Sequence, residues 1–462
     1  MKLILNIDKT ALFFILLGVF FLPFNSFEGI SFLGEFSRDS CVLFFLTAGF
    51  LLLFKKKISI PVKSPFFQIF LIFFVWCFLS VLLNSNDLLS YHFKGISGVE
   101  RFIRQAFSLI LATIVMIVIF YNVFKNYELE QVFFKIRKTI MYSLIIVSIY
   151  AFLEFFIVYF NAQGLLSVLN IFEYFPFTSV NIDRYTNRIS SVTFEAPALA
   201  TYIISISGWM FSYVLTEKGI KRFFPAFFTI ILAFLSGSRA GFFVILLQII
   251  VFILYIIKDK KFNKLFVDIF AIFILTGAIA TLSFGKTIVN YIAAEFNSFK
   301  TDDDIHALSN KSRFGIQYAM YSVFLENPLI GTGYGLQAFE SKDKYPSWAT
   351  EGNWEFRVKY LNEEDPRFPP GYNFYLRLLS ETGIIGFLIF ILFIISVCMW
   401  CFNKTFTKQG SQTIIPLVLT ISIVGFVFNW LKMDTLRIYF FWICLTFIII
   451  YNLQPKALSN EE

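Results

Sequence analysis

Long apolar runs constrain the fold of this chain more than any other feature of its sequence. Twelve runs of 15 to 30 residues are separated by polar segments, and a membrane-spanning helix needs about 20 apolar residues. Of the 462 residues, 57% are hydrophobic, 15% are charged and 65 are Phe, whereas a soluble domain carries about 25% charged residues. The sequence therefore predicts an all-α polytopic membrane protein, and it excludes a soluble enzyme, a secreted domain and a disordered scaffold.

The runs predict about twelve transmembrane helices and one large loop. The predicted helices lie at 10–24, 40–54, 66–83, 104–121, 140–160, 195–216, 222–236, 238–257, 264–284, 373–402, 413–431 and 436–452. Helices 7 and 8 form either two spans or one long tilted helix, because only residues 236–241 separate them. We expect nine helices in residues 1–284, a large loop at 285–372 between helices 9 and 10, and three helices with a tail in 373–462.

The lysine-rich loops alternate along the chain, so they share one side of the membrane. Lysines cluster at 55–63, 125–138, 218–221, 258–264 and 404–408, and basic loops favour the cytoplasm. Both termini are therefore predicted to be cytoplasmic, and the 285–372 loop is predicted to lie outside. The net charge of +8 then faces anionic lipid, and no basic, aromatic-interleaved patch predicts nucleic-acid binding.

Arginines show the opposite bias. Of the 13 arginines, 11 fall on the predicted outer side, against the positive-inside rule. A guanidinium group binds phosphate or carboxylate through two parallel hydrogen bonds, whereas a lysine offers a point charge. The bias predicts an anionic ligand at the outer face, and ion pairs with outer Asp and Glu residues are the alternative.

A carboxylate and two aromatic side chains add candidates on the outer side. Glu195 begins a predicted span close after Arg184 and Arg188. It is either an acid favoured by the helix N-terminus or a general base that deprotonates a sugar hydroxyl. In the large loop, Trp348 and Trp354 offer the aromatic faces that a sugar-binding surface needs.

Two motifs flank the large loop. Residues 313–335 run from Arg313 to Asn-Pro-Leu-Ile-Gly-Thr-Gly-Tyr-Gly, which predicts an amphipathic helix that starts at Arg313 and ends before the glycines. Their spacing differs from that of a nucleotide-binding loop and indicates a tight turn. Residues 369–386 read Pro-Pro-Gly-Tyr-Asn-Phe-Tyr-Leu-Arg-Leu-Leu-Ser-Glu-Thr-Gly-Ile-Ile-Gly, and here Arg377 and Glu381 are spaced for pairing on a helix.

These segments, preceded by Gly-Ser-Arg-Ala-Gly at 237–241, resemble the O-antigen ligase and polymerase superfamily. Its members show an Arg-led helix ending in Asn-Pro-Leu-x-Gly-x-Gly, then His-Asn-x-x-Leu-x-x-Leu-x-Glu-x-Gly-x-x-Gly. The resemblance covers residues 230–400 in motif detail. Ligase-type members carry His where this chain has Tyr372, and tyrosine, with a pKa of about 10, is a poor base at neutral pH. This departure favours the O-antigen polymerase (Wzy-type) over the ligase.

The resemblance implies a glycosyltransferase C-like fold in the bacterial inner membrane, with the active site facing the periplasm. It implies a polymerase that joins undecaprenyl-diphosphate-linked oligosaccharide repeat units, without cofactor or metal. Membrane lipid and a chain-length regulator protein are the implied partners. Two alternatives stay open: a ligase that transfers polymer to lipid A–core, and a flippase of the lipid-linked oligosaccharide. The run Asp302-Asp303-Asp304 is interpreted as a solvated loop rather than a metal site.

The candidate site residues follow from these motifs. The predicted catalytic residues are Glu195, Glu381, Arg239 and Arg313. Glu195 ranks before Glu381 as the base, and the two arginines are expected to bind diphosphate. The predicted substrate-binding residues are Arg184, Arg188, Arg377, Tyr372, Asn373, Trp348 and Trp354.

Overall fold

The computed structural model describes residues 2–55, 57–184, 187–258, 260–262, 264, 267, 305–407 and 414–453. The long helices of this part are α1 (Lys2–Phe20), α2 (Ser40–Leu53), α3 (Pro65–Leu83), α4 (Gly98–Phe124), α5 (Leu129–Phe160), α6 (Ala196–Thr216), α7 (Phe224–Leu235), α8 (Arg239–Lys258), α9 (Ile305–Glu326), α10 (Phe374–Phe402), α11 (Ile414–Asn429) and α12 (Tyr439–Leu453).

Short elements connect these helices. Strands β1 (His92–Phe93) and β2 (Ile96–Ser97) form an antiparallel hairpin. Short helical segments lie at Ser31–Phe36, Ser85–Ser90, Gln163–Leu165, Leu166–Leu169, Asn170–Tyr174, Ile220–Phe223, Lys260–Phe262, Gln337–Ser341, Ser347–Thr350, Phe356–Tyr360 and Asn403–Thr407.

The predicted apolar runs fold as helices wherever the structure describes them. Eleven of the twelve runs coincide with α1–α8 and α10–α12, whereas the run at 264–284 and Asp302-Asp303-Asp304 fall outside the described residues, apart from 264 and 267. Six of the described helices are long and apolar enough to cross a membrane: α3, α4, α5, α6, α8 and α10 with its extension to Thr407. The all-α membrane fold is confirmed, but twelve spans are not.

The shorter apolar helices differ in how they are buried. Helix α12 has only 15 residues, and every side chain from Tyr439 to Ile450 is buried. A helix enclosed by its neighbours meets little lipid, so its length need not match the bilayer. By contrast, α3 and α10 expose apolar side chains such as Leu82 and Leu392, which are 67% and 59% exposed. These outward faces are suited to contact with lipid.

Helices α7 and α8 are two helices separated by a turn at 236–238. Gly237 has a φ of 58°, a left-handed conformation that glycine adopts without steric cost. Helix α7 has 12 residues and a length of about 18 Å, so it is too short to cross a hydrocarbon core of about 30 Å alone. The turn therefore excludes one long continuous helix, whereas α7 is not long enough to count as a separate span.

The segment between α9 and α10, residues 327–373, folds back onto α10. Helix α9 begins eight residues before Arg313, so the prediction that this residue starts the helix was wrong. The predicted tight turn is confirmed: Gly331, Gly333 and Gly335 all have positive φ. Gly333 N donates to the Glu381 carbonyl at 2.9 Å, and α10 is interrupted at Gly383, where φ is 63°. The turn therefore packs against the break in α10.

Candidate active site

A cleft of about 2030 Å³ opens at one end of the helices. Helices α2, α6, α8 and α12 all begin at its wall, where Asp39, Glu195, Arg239 and Tyr439 line it. The N-terminus of a helix carries a partial positive charge, because its first N–H groups have no partner within the helix. The convergence of four such ends favours an anion in this cleft.

The charged side chains that line the cleft are mainly positive. Among the residues that the structure describes, eight cationic and five acidic side chains line it. The cationic residues are Arg188, Arg239, Lys311, Arg313, Lys359, Arg367, Lys432 and Arg437, and the acidic residues are Asp39, Glu195, Glu351, Glu355 and Asp434. A concave site lined mainly by one sign of charge concentrates ligands of the opposite sign. Among the described residues, five of the eleven predicted outer arginines line this cleft, and five form ion pairs with acidic side chains, Arg367 and Arg437 being in both groups.

Glu195 lies in this cleft at the N-terminus of α6. It occupies the position before Ala196 and Pro197, where extended backbone leads into the helix. Among the described residues, none hydrogen bonds to its carboxylate. The side chain is accessible from the cleft, but the surrounding walls remove part of its hydration and raise its pKa, while Arg313, Lys432 and Arg188 oppose that rise. The structure therefore presents an open carboxylate among cations.

Arg188 and Arg239 come together at the turn between α7 and α8. Ile189 N donates to the Leu235 carbonyl at 3.2 Å, which ties the Arg188 loop to the end of α7. The Cγ of Arg188 lies 2.9 Å from the position that a Cβ on Gly237 would occupy. Ser238 Oγ accepts a hydrogen bond from Gly241 N at 3.3 Å and caps α8. Two arginines far apart in sequence thereby reach one wall.

A buried carboxylate that sequence reasoning missed holds the Arg188 loop. Glu154, on α5, accepts hydrogen bonds from Ser190 N at 3.1 Å and Ser191 N at 2.8 Å. Tyr159, one turn further along α5, donates its hydroxyl to the Asn187 carbonyl at 2.9 Å. An isolated acid near the end of an apolar run is costly in lipid unless it has partners, and this was the signal in the sequence. Glu154 therefore holds the Arg188 loop in position without itself lining the cleft.

Arg313 projects from the middle of α9 and lies over the ring of Tyr372. The guanidinium carbon is 5.2 Å from the ring centroid. Tyr372 has a φ of 53°, and its hydroxyl is 2.9 Å from the hydroxyl of Tyr360. Burial is the main cause that raises the pKa of Tyr372, so the phenol stays protonated at neutral pH. The ring packs under Arg313, and its protonated hydroxyl is not suited to act as a base.

The predicted pair of Arg377 and Glu381 is confirmed, with Nε and Oε1 3.0 Å apart on α10. The same guanidinium donates to the Asp434 carbonyl at 2.8 Å and to Gln105 Oε1 at 2.8 Å. Arg377 lines a second cleft of about 810 Å³ rather than the main one. With its donors held by protein groups, Arg377 joins α10, α4 and the segment between α11 and α12.

The segment between α11 and α12, residues 430–438, places Lys432 in the main cleft. The sequence analysis did not select this residue. Phe374 N donates to the Trp430 carbonyl at 2.9 Å, and Gly371 N donates to Asp434 Oδ2 at 2.6 Å. These bonds fix the segment beside the start of α10. Lys432 thereby projects into the cleft. The sequence carried no local signal for this residue, because seven other lysines also lie on the predicted outer side.

Six of the eleven predicted site residues line the main cleft: Glu195, Arg239, Arg313, Arg188, Tyr372 and Trp354. Three others lie elsewhere and contact neighbouring groups. Arg184 donates to Gln163 Oε1 at 2.9 Å, Asn373 caps α10 by accepting from Tyr375 N, and Trp348 is 49% exposed beside Tyr318. The remaining two are the buried pair on α10.

Comparison with known proteins points to one family. A family model described as O-antigen ligase matches residues 224–391, from α7 into α10. No curated protein matches the chain. The matched region includes Arg239, Arg313 and Tyr372, but Glu195 and Lys432 lie outside it. The match supports the O-antigen ligase and polymerase superfamily, whose members are glycosyltransferase-like enzymes acting on lipid-linked saccharides, and it fits a polymerase and a ligase equally.

Proposed function

We propose that this chain is a polysaccharide polymerase that joins oligosaccharide repeat units carried on undecaprenyl diphosphate. The reaction would take place at the periplasmic face of a bacterial inner membrane. The observation that carries the proposal is the open carboxylate of Glu195 in a cleft that also presents Arg313 and Arg239. A base for a hydroxyl and cations for a diphosphate are the two requirements of this transfer.

In this reaction, a hydroxyl of one lipid-linked unit attacks the anomeric carbon of the growing chain. The bond from that carbon to the diphosphate oxygen breaks, and its electron pair leaves with the diphosphate. The hydroxyl proton passes to Glu195. Negative charge develops on the departing diphosphate, and fixed cations stabilise developing charge without having to reorganise. Arg313, Arg239 and Arg188 are suited to this role, because all three line the cleft.

Glu195 is better suited than Glu381 to accept the proton. A general base works best when its pKa approaches the operating pH, and the walls of the cleft raise the pKa of Glu195. Glu381 is 1% exposed, lies outside the main cleft and is paired with Arg377. We therefore assign Glu381 and Arg377 a positioning role, since together they hold the loop that carries Lys432.

Two alternatives are less well supported. Ligase-type members carry a histidine where this chain has Tyr372, and a protonated phenol cannot replace an imidazole base. A flippase binds its cargo near the middle of the membrane between symmetric halves. Here the cleft lies where helices begin, at one end of the helices. Both features favour a polymerase.

Deletion of the gene, followed by gel analysis of surface polysaccharide, tests the proposal. We expect a strain whose surface carries single repeat units, with long chains restored by the wild-type gene. Accumulation of polymer that is not attached to lipid A–core would identify a ligase instead. Loss of all repeat units from the surface would identify a flippase. Complementation with a Glu195→Gln gene is expected to leave the single-unit pattern.

A further inference from the structure

Lys432 lines the cleft, and the proposed reaction does not account for the environment of its amine. Its Nζ atom is buried and, among the described residues, has no hydrogen-bond partner. Buried amines in proteins are normally paired with an acid or bonded to oxygen acceptors. A buried lysine amine that lines a ligand-sized cleft without a partner indicates that its partner is the ligand.

The backbone around Lys432 is held in place, so the position of the amine is built into the fold. Lys432 N donates to the Asn429 carbonyl at 3.0 Å in the turn that ends α11. Trp430 Nε1 donates to the Thr435 carbonyl at 3.0 Å across the same turn. Together with the bonds from Phe374 and Gly371 described above, these contacts leave the segment little freedom to move the amine elsewhere.

The charged neighbours of Lys432 come from three elements. Arg313 on α9 and Glu195 at the start of α6 both act on it electrostatically. Asp434 and Arg437 lie on the same segment as Lys432. Asp434 Oδ2 accepts a hydrogen bond from Gly371 N, and the Nη1 of Arg437 lies 3.9 Å from the Oδ2 of Asp39. Loss of hydration, reinforced by Arg313 and opposed by Glu195, lowers the pKa of the amine to about 7. Near neutral pH, the free protein therefore holds this amine partly uncharged.

We propose that Lys432 binds the diphosphate of the lipid-linked substrate together with Arg313, and that its amine takes up a proton as the diphosphate enters the cleft. The inference rests on the proposed function, because that function supplies the diphosphate. Two negative charges placed beside the amine favour its ammonium form. The proton comes from solvent, and the only bond formed is the third N–H bond of the ammonium group.

This arrangement couples substrate binding to the protonation of the Lys432 amine. Without substrate, two permanent cations beside Glu195 would repel each other in a partly dehydrated cleft, and an uncharged amine avoids that repulsion. With substrate, the ammonium group of Lys432 adds a further hydrogen-bond donor to those of the arginines that line the cleft. Departure of the diphosphate then favours loss of the proton, which weakens the hold on the product and assists its release.

The test uses a probe whose phosphates do not titrate near neutral pH. Farnesyl diphosphate esterified to N-acetylglucosamine satisfies this condition, because both of its phosphates are esterified. Calorimetric titration of the full-length protein in detergent at pH 8, in two buffers with different ionisation enthalpies, gives the number of protons taken up. For an amine with a pKa of about 7, we expect uptake of about one proton by the wild type.

Three variants show which side chain takes up the proton. Lys432→Met is expected to bind without proton uptake and about tenfold or more weakly, the usual scale for one charge-assisted bond to phosphate. Lys432→Arg, which is permanently charged, is expected to bind without uptake and serves as the folded comparison if the Met variant is unstable. Glu195→Gln removes the other nearby titrating group, and the uptake is expected to persist in that variant.

The outcomes separate this inference from the proposed function. If Lys432→Met binds the probe with the affinity and the proton uptake of the wild type, the role of Lys432 is overturned. The polymerase proposal is unaffected by that result. Uptake that disappears in Glu195→Gln but persists in Lys432→Met would give the proton to Glu195 and also overturn the inference. Failure of the wild type to bind the probe would count against both proposals.

Discussion

The side chain of Arg188 lies against Gly237, with its Cγ 2.9 Å from the position of a Cβ on that glycine. Gly237 also has a φ of 58°. A Gly237→Ala substitution would therefore displace Arg188 and strain the backbone by about 1–2 kcal/mol. We expect shorter polysaccharide chains in a complemented deletion strain and weaker binding of a diphosphate probe, while the protein still inserts and folds.

Gly219 provides the matched control for this prediction. Its φ is 71°, and a Cβ built on it would meet no atom within 4 Å. It lies between α6 and α7, at the ends of these helices opposite to the cleft. Its ψ of −174° lies in a region that is almost restricted to glycine. Gly219→Ala therefore strains the backbone without displacing an arginine, and chain length should stay close to the wild type. Equal losses in the two variants would attribute the effect to strain and contradict a role for Arg188.

Replacement of Arg239 or Arg313 by lysine tests whether the cleft needs the fork of the guanidinium group. Lysine keeps the charge but cannot form two parallel bonds to phosphate, and each such bond contributes roughly 1.5–3 kcal/mol. We expect Arg239→Lys to impair polymerisation nearly as much as Arg239→Ala, and Arg313→Lys to behave in the same way. Arg357→Lys, an exposed change outside the cleft, should have no effect. Full-length polymer in an Arg239→Ala strain would remove this residue from the site.

Tyr372 tests the distinction between a platform and a proton-transferring group. Tyr372→Phe keeps the ring under Arg313 and removes the contact with Tyr360. We expect it to cost about 1 kcal/mol of stability with most activity retained. Tyr372→Ala also removes the cation–π contact and should lower activity further. Equal loss of polymerisation in the two variants would show that the hydroxyl itself takes part in the reaction.

The sequence predicted the helices well because apolar runs and their flanking residues are local signals. The predicted start of the tenth helix at residue 373, for example, agrees with the N-cap that Asn373 forms on α10. The start of α9 was missed because residues 305–312 are mostly polar, and helix formation there depends on tertiary contacts. The number of spans could not be predicted either, because a helix such as α12 is shorter than a bilayer is thick.

The site was predicted where a residue type alone carries the chemistry. Arg188, Arg239 and Arg313 were found because outer arginines are unusual, and the structure brings them to one cleft. Lys432 and Glu154 were missed because their roles depend on long-range contacts. The acid on α5 reaches residues 36 and 37 positions later in the chain, and no periodicity or spacing indicates such a pairing.

The predicted membrane orientation can be measured by cysteine labelling. In a variant without the five native cysteines, Glu364→Cys and Lys57→Cys place single thiols at exposed positions in the outer segment and in the loop after α2. We expect a membrane-impermeant maleimide to label residue 364 but not residue 57 in spheroplasts. A permeant maleimide should label both. Labelling of residue 57 alone by the impermeant reagent would show that the membrane orientation is opposite to the predicted one.

The assignment of Glu195 as the base predicts a loss of rate without a loss of binding. Glu195→Gln keeps the shape of the side chain and removes the carboxylate, and a lost general base usually slows a reaction at least about a hundredfold. We expect such slowing in a reconstituted assay with lipid-linked repeat units, with the affinity for the units preserved. Glu351→Gln changes another carboxylate of the same cleft and should leave the rate close to the wild type.

The pH profile gives an independent measure of the same group. Because the pKa of Glu195 is raised above that of an ordinary carboxyl group, the carboxylate form is lost at a higher pH than it would be in water. The wild-type rate should therefore fall as the pH drops through this raised pKa, by tenfold for each further unit once the group is mostly protonated. The residual rate of Glu195→Gln should lack this acidic limb. A wild-type rate in the glutamine variant, with the limb unchanged, would pass the role of base to Glu381.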